Sequence, residues 1–142
     1  MYRRGARGLE VLLVHPGGPF WARKDLGAWS IPKGEYSETD EPLATAIREF
    51  AEETGTHPRG EFRPLGELTQ PGRKIVTVFA VEGDFDPATL KSNTFELEWP
   101  PKSGRKATFP EVDRAEWFLL EMAREKILSG QREFITRLLE TA

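Results

Sequence analysis

The chain has 142 residues, 38% hydrophobic and 30% charged, with a formal net charge of −3, which suits one globular domain over residues 1–142. The acidic balance argues against a general nucleic-acid-binding protein, which is usually basic. With no cysteine, no apolar run of membrane length and no signal-peptide pattern, the sequence excludes disulfides and thiol chemistry and favours a cytoplasmic protein without membrane association.

The first part of the chain predicts strands separated by a loop. Residues 8–15 form an apolar run that indicates a buried strand, and Pro-Gly-Gly-Pro at residues 16–19 ends it. A second, short strand is expected at residues 28–31, and Pro32 ends it. The loop between the two strands could lie over a ligand.

Residues 39–56 contain one amphipathic helix. At about 100° per residue, Glu49, Glu52 and Glu53 share one narrow arc of the helix. The opposite, apolar side carries Leu43, Ile47, Phe50 and Thr54. Gly55 stands where a glycine commonly ends a helix.

The rest of the chain predicts more strands and then helices. Strands are expected at residues 62–70, 74–82, 94–99 and 113–118, with a hairpin turn at Pro71-Gly72. Residues 84–92 indicate a loop or helical turn, and residues 100–110 a basic loop. Helices are expected at residues 119–128 and 131–139. This order predicts a mixed sheet with helices on both sides.

The acidic face of the central helix has two interpretations. Carboxylates three and four residues apart repel one another, so the cluster indicates a divalent cation such as Mg²⁺ or Mn²⁺, which prefers oxygen ligands. Glutamate-rich helix faces are also common as solvated surface. Gly34 and Gly55, one on each side of the helix, favour a backbone specified around the acids.

The segment from Gly34 to Thr56 resembles the Nudix box, G-x5-E-x7-R-E-U-x-E-E-x-G-U, without gaps. Two positions depart from it: Asp40 replaces a glutamate, and Thr56 an apolar residue. A contact made by the longer glutamate could be lost at Asp40 or taken over by Glu41. The resemblance implies a Nudix-type α/β/α sandwich with a mixed β-sheet, and a strand before residue 8 that is short or incomplete.

The resemblance also implies an activity. Nudix enzymes hydrolyse a nucleoside diphosphate linked to another group, with Mg²⁺ or Mn²⁺ and an attacking water. By resemblance Glu52 and Glu53 are metal ligands, and Glu49 is a ligand or the general base. Arg48 would pair with an acid and hold the helix against the preceding loop.

Glu111 is a fourth candidate metal ligand. It precedes a late strand, as does a glutamate that reaches the metals across the cleft in Nudix proteins. Asp113 is a competing choice, and a solvated acidic loop residue is the ordinary alternative for Glu111.

Substrate contacts are expected from Lys33, Gly34 and Arg105. Lys33 could meet a phosphate as a point charge, and Arg105 lies in the basic loop and could contact a polyphosphate tail. Both could equally be solvated loop residues. The tryptophans that could provide a surface for base stacking are Trp21, Trp29, Trp99 and Trp117.

The W-x-x-P-K-G form around Lys33 is similar to diadenosine polyphosphate hydrolases and to RNA-decapping Nudix enzymes, and residues 111–123 and 129–134 resemble the diadenosine polyphosphate branch. Diadenosine tetraphosphate is therefore the first expected substrate. A nucleoside triphosphate pyrophosphatase and an RNA 5′-pyrophosphohydrolase are alternatives within the enzyme class. A nucleotide-binding regulatory domain without catalysis is the alternative outside that class; the complete set of box glutamates argues against it.

Overall fold

The computed structural model describes residues 1–33, 40–70, 72 and 74–142. This part of the chain forms seven strands and three α-helices. The strands are β1 (Tyr2–Gly5), β2 (Gly8–Pro16), β3 (Phe62–Gln70), β4 (Lys74–Val81), β5 (Thr94–Glu98), β6 (Lys106–Pro110) and β7 (Val112–Leu119). The helices are α1 (Pro42–Thr54), α2 (Leu120–Lys126) and α3 (Arg132–Thr141), and within these ranges none is long and apolar enough to cross a bilayer.

Strand β2 lies at the centre of the fold. It pairs antiparallel with the short strand β1 on one edge and with β7 on the other. Because successive strand residues point to opposite faces, its side chains contribute to two separate cores. One core includes Val11, Leu13, Ala123 of α2 and Ile135 of α3, and the other includes Leu12, Val14 and Phe50 of α1. Helices therefore cover both faces of the sheet.

The remaining strands form two antiparallel pairs, β3 with β4 and β5 with β6. Among the described residues, parallel pairing consists of two isolated bridges, Tyr2 with Glu82 and Trp29 with Ile127. The first bridge connects the β1 edge to the residue after β4. The prediction of an α/β/α sandwich with a mixed sheet is confirmed.

Three predicted elements differ in extent from the structure. Residues 100–110 were expected to be a loop, but Lys106–Pro110 is strand β6, in which half-buried Ala107 and Phe109 alternate with exposed residues. Residues 28–31 form isolated bridges, not a continuous strand. Helix α2 ends at Lys126 because the next residues turn to Trp29, whose carbonyl accepts from the Leu128 N–H at 2.8 Å.

Helix α1 lies within the predicted segment and ends at Gly55, as the sequence predicts. Both carboxylate oxygens of Glu41 cap the first turn, accepting from the N–H groups of Leu43 at 3.1 Å and Ala44 at 2.6 Å. The Glu41 carboxylate is thus engaged as a helix cap. At the other end Gly55 has φ +83° and donates to the Ala51 carbonyl at 2.8 Å, as a C-terminal glycine does.

Candidate active site

The three glutamates of α1 differ in exposure. The Glu49 side chain is 12% exposed and the Glu52 side chain 36% exposed, while Glu53 is half-buried. The expectation of an exposed acidic face therefore applies to Glu52 and is wrong for Glu49. Lys33 lies close to this face, since it lines cavities with both Glu49 and Glu53.

Burial and mutual repulsion make two of these carboxyls reluctant to ionise. Burial, followed by a weaker influence of Glu49, raises the pKa of Glu53 to about 8, although a hydrogen bond from Lys33 opposes the shift. Burial and the negative charge of Glu52 raise the pKa of Glu49. The charge of Glu111 contributes to both shifts. Glu111, the residue just before β7, therefore lies near the helix acids.

Glu53 is held by the backbone of the preceding segment. The Lys33 N–H donates to Glu53 Oε2 at 2.6 Å. The same two residues line a cavity of about 220 Å³ together with Glu111. The structure therefore brings three of the sequence-predicted residues, from three separate parts of the chain, to one cavity.

Glu49 lies where α1 packs against strand β4. There it lines a second cavity, of about 100 Å³, between the helix and strand β4. Lys33 lines this cavity as well as the cavity of Glu53 and Glu111. Glu49 and Glu53 thus line two different cavities, and Lys33 lines both.

Residues 91–93 form a short segment, called the strap below, that connects α1 to Glu111 through backbone hydrogen bonds. The Asn93 N–H donates to the Glu52 carbonyl at 2.8 Å, and the Asn93 carbonyl accepts from the Glu111 N–H at 2.8 Å. One peptide segment therefore connects the end of the acid helix to Glu111. Ser92 supports the connection, because its hydroxyl donates to the Val112 carbonyl at 3.1 Å and accepts from the Val112 N–H at 3.2 Å.

Asp113, the competing choice for a metal ligand, has a different contact. Its Oδ1 lies 2.8 Å from Nδ1 of His15, whose fully buried ring has its Nε2 2.7 Å from the Lys24 carbonyl. His15 is therefore a buried structural residue. The contact leaves Glu111 as the acid of this segment that faces the cavity.

The remaining predicted site residues lie further from this centre. Arg48 pairs with Glu52 at 3.3 Å and with Glu49 at 3.4 Å. Its expected role in holding the helix against the preceding loop involves residues 34–39, which lie outside the described residues. Arg105 is exposed in the turn between β5 and β6, and the structure does not bring it to either cavity. Gly34 lies outside the described residues.

Sequence reasoning did not single out the strap, and it left Trp21 as one of four tryptophans. Trp21 lines the cavity of Glu53 and Glu111. Trp29 is 1% exposed and donates its indole N–H to Asp25 at 2.8 Å, which makes it a core residue. Apart from Ser92 and Asn93, the strap contains no residue pattern that predicts its contacts. The Gly-Pro-rich loop before Trp21, in contrast, did predict a segment that could lie over a ligand.

The donor set fits a divalent cation by its chemistry. Glu49, Glu52, Glu53 and Glu111 offer hard carboxylate oxygens, and a cation would offset the repulsion and burial that raise the pKa values of two of them. Among the described residues, no three acidic or histidine side chains are close enough to hold one ion as they stand. Binding would therefore require these carboxylates to close around the ion.

Comparison with known proteins identifies the family. The chain matches the family model described as NUDIX domain over residues 1–138. No match was found among the curated proteins.

Several solved structures share the fold. The NUDIX domain of Shewanella oneidensis NrtR, complexed with ADP ribose, has 19% identity and a TM-score of 0.63, covering 99% of this chain and 82% of that one. A C. elegans Ap4A hydrolase in a binary complex has 17% identity and a TM-score of 0.63, with 99% and 92% covered. A MutT protein from Methanosarcina mazei Go1 has 21% identity and a TM-score of 0.61, with 99% and 89% covered. At these identities the likeness concerns the fold.

Proposed function

Because the chain belongs to the Nudix family of pyrophosphohydrolases, we propose that it hydrolyses a pyrophosphate bond in a nucleotide that carries a polyphosphate chain. A dinucleoside polyphosphate such as diadenosine tetraphosphate is the proposed substrate. Nudix hydrolases generally use divalent metals, and we include Mg²⁺ or Mn²⁺ dependence in the proposal.

The observation that carries the proposal is the shared cavity of Lys33, Glu53 and Glu111. A diphosphate is anionic and repels both carboxylates and an attacking hydroxide. A cavity with two acids is therefore suited to phosphate only if a cation lies between them, and Lys33 supplies a further positive charge beside it.

Each residue then has a distinct role. Glu49, Glu52, Glu53 and Glu111 would hold the metal, which when bound supplies charge neutralisation and a more acidic water. Glu49 is either a ligand or the general base. Arg48 neutralises Glu49 and Glu52 on the outer side of the helix and orients them, and it does not touch the substrate.

Incubation with a small substrate panel in the presence of Mg²⁺ tests the proposal. The panel contains diadenosine tetraphosphate, ADP-ribose, ordinary and oxidised nucleoside triphosphates, and triphosphorylated RNA, with Glu53→Gln as the blank. ATP plus AMP from the dinucleotide supports the proposal. Turnover of another compound alone would show that the protein is an enzyme with a different substrate. Nucleotide binding without any turnover would favour a regulatory domain.

Lys33→Ala should raise KM for polyphosphate substrates with a smaller change in kcat. The Lys33 N–H that holds Glu53 belongs to the backbone and remains in the variant, so the side-chain charge alone is lost. We expect an increase in KM of roughly 10- to 150-fold, since a charge-assisted phosphate contact is worth roughly 1.5–3 kcal/mol.

Steady-state kinetics with Arg105→Ala as the control measures this effect. Arg105 is a cation outside both cavities. An unchanged KM in Lys33→Ala would show that the Lys33 side chain is solvated and does not contact the substrate phosphates.

A further inference from the structure

Trp21 lies in the candidate active site without a role in the chemistry proposed so far. Its half-buried ring packs partly against the core and also lines the cavity of Lys33, Glu53 and Glu111. A tryptophan that only filled the core would not need to form the wall of a cavity that also contains acids. Its position next to them suggests contact with the substrate.

The lining of the cavity combines charged and apolar residues. Glu53, Glu111 and Lys33 are charged, whereas the other lining residues are mostly apolar and include Val14, Trp21, Ala28, Val112 and Leu128. Its volume of about 220 Å³ is below the roughly 300–1,000 Å³ typical of pockets that enclose a whole ligand. The cavity therefore suits one flat, weakly polar group attached to an anionic group.

The turn that carries Trp21 is anchored to the core. Trp21 donates its N–H to the Gly18 carbonyl at 3.4 Å, and its own carbonyl accepts from Lys24 at 3.0 Å. The Lys24 carbonyl lies 2.7 Å from the buried ring of His15. The backbone that carries Trp21 is thus anchored before any ligand binds, which lowers the entropy cost of ordering it. The indole ring itself is contacted by Lys24, whose Nζ lies 5.0 Å from the ring centroid.

We propose that Trp21 is the base-stacking residue of this site. The nucleobase of the substrate stacks on the indole ring, and the phosphates attached to that nucleoside extend toward Glu53 and Glu111. The cavity accepts one base, so a second nucleoside of a dinucleotide lies outside it. This inference rests on the proposed function, because it assumes that the cavity binds a nucleotide.

Binding of AMP and of ribose 5-phosphate, which differ by the base, tests this inference. Neither contains an anhydride bond, so binding can be measured by titration calorimetry with Mg²⁺ and without hydrolysis. Trp21→Ala should weaken AMP binding by about fivefold to 150-fold, the range for loss of one stacked base, and leave ribose 5-phosphate binding unchanged. Trp21→Phe should retain most of the AMP affinity.

Phe20→Ala is the matched control. Phe20 is the neighbouring aromatic residue, is 61% exposed, and contacts the edge of Trp99 with ring centroids 5.5 Å apart. It should bind AMP like the wild type. Thermal unfolding of each variant shows whether the loop change has affected the fold.

Several outcomes would overturn the assignment. These are an unchanged AMP affinity in Trp21→Ala, an equal loss for both ligands, an equal loss in Phe20→Ala, or no AMP binding by the wild type. If AMP binding depends on Trp21 but the substrate panel shows no turnover, this inference stands and the hydrolytic function fails.

Discussion

Glu53→Gln should lower turnover by more than about 100-fold at saturating Mg²⁺ while the protein remains folded. Replacing partners outside the metal ligands commonly costs about 10- to 100-fold, so loss of a direct ligand should exceed that range. The amide keeps the shape of the carboxylate, and its carbonyl oxygen can still accept the Lys33 N–H that now donates to Glu53 at 2.6 Å.

Measurement of kcat on the substrate found in the panel, with circular dichroism of the same sample, tests this expectation. Glu116→Gln is the matched control because Glu116 is an exposed glutamate of β7. Wild-type turnover in Glu53→Gln at saturating Mg²⁺ would show that Glu53 is not part of the active site.

The same substitution should make the metal-free protein more stable at alkaline pH. The pKa of Glu53 is about 8 in the folded protein, against an ordinary value of 4.5 for glutamate. Its ionisation therefore disfavours folding: the cost is absent below pH 4.5, grows between pH 4.5 and about 8, and is constant above that. Glutamine removes the cost. We expect a gain of about 1–3 kcal/mol in the free energy of unfolding at pH 9, below the ceiling of about 5 kcal/mol set by the full shift.

Denaturant unfolding in EDTA at pH 5, 7 and 9 measures this gain. The difference between Glu53→Gln and wild type should increase with pH, and Glu116→Gln should show no such trend. A difference that is constant or decreases with pH would show that Glu53 ionises without cost. Together with the loss of turnover, the expected result would make Glu53 a residue retained for function at the expense of stability.

Local sequence patterns were sufficient for the helix that carries the acids. The arc of Glu49, Glu52 and Glu53 depends on helical periodicity, and Gly55 ends the helix with the positive φ of +83° that its position predicts. Strand β2 likewise follows from an uninterrupted apolar run. The alternation of its side chains between two cores explains why the sandwich was predictable.

The geometry around the acids depends on distant residues and could not be predicted in this way. Glu53 is half-buried because the segment ending at Lys33, 20 residues earlier, bonds to it. Glu111 is placed by Asn93, which reaches Glu52 through backbone groups that any residue possesses. Strand β6 was also missed, since the turn residues before it suggested a loop and only pairing with β5 reveals the strand.

Titration with Mn²⁺, followed by electron paramagnetic resonance, tests most directly the claim that Glu111 and the α1 acids form one metal site. Wild-type protein should bind Mn²⁺ at pH 8, and Glu111→Gln should weaken binding by about tenfold or more, whereas Glu116→Gln should not change it. Equal Mn²⁺ affinity in Glu111→Gln and wild type, or no binding by the wild type, would contradict a shared metal site.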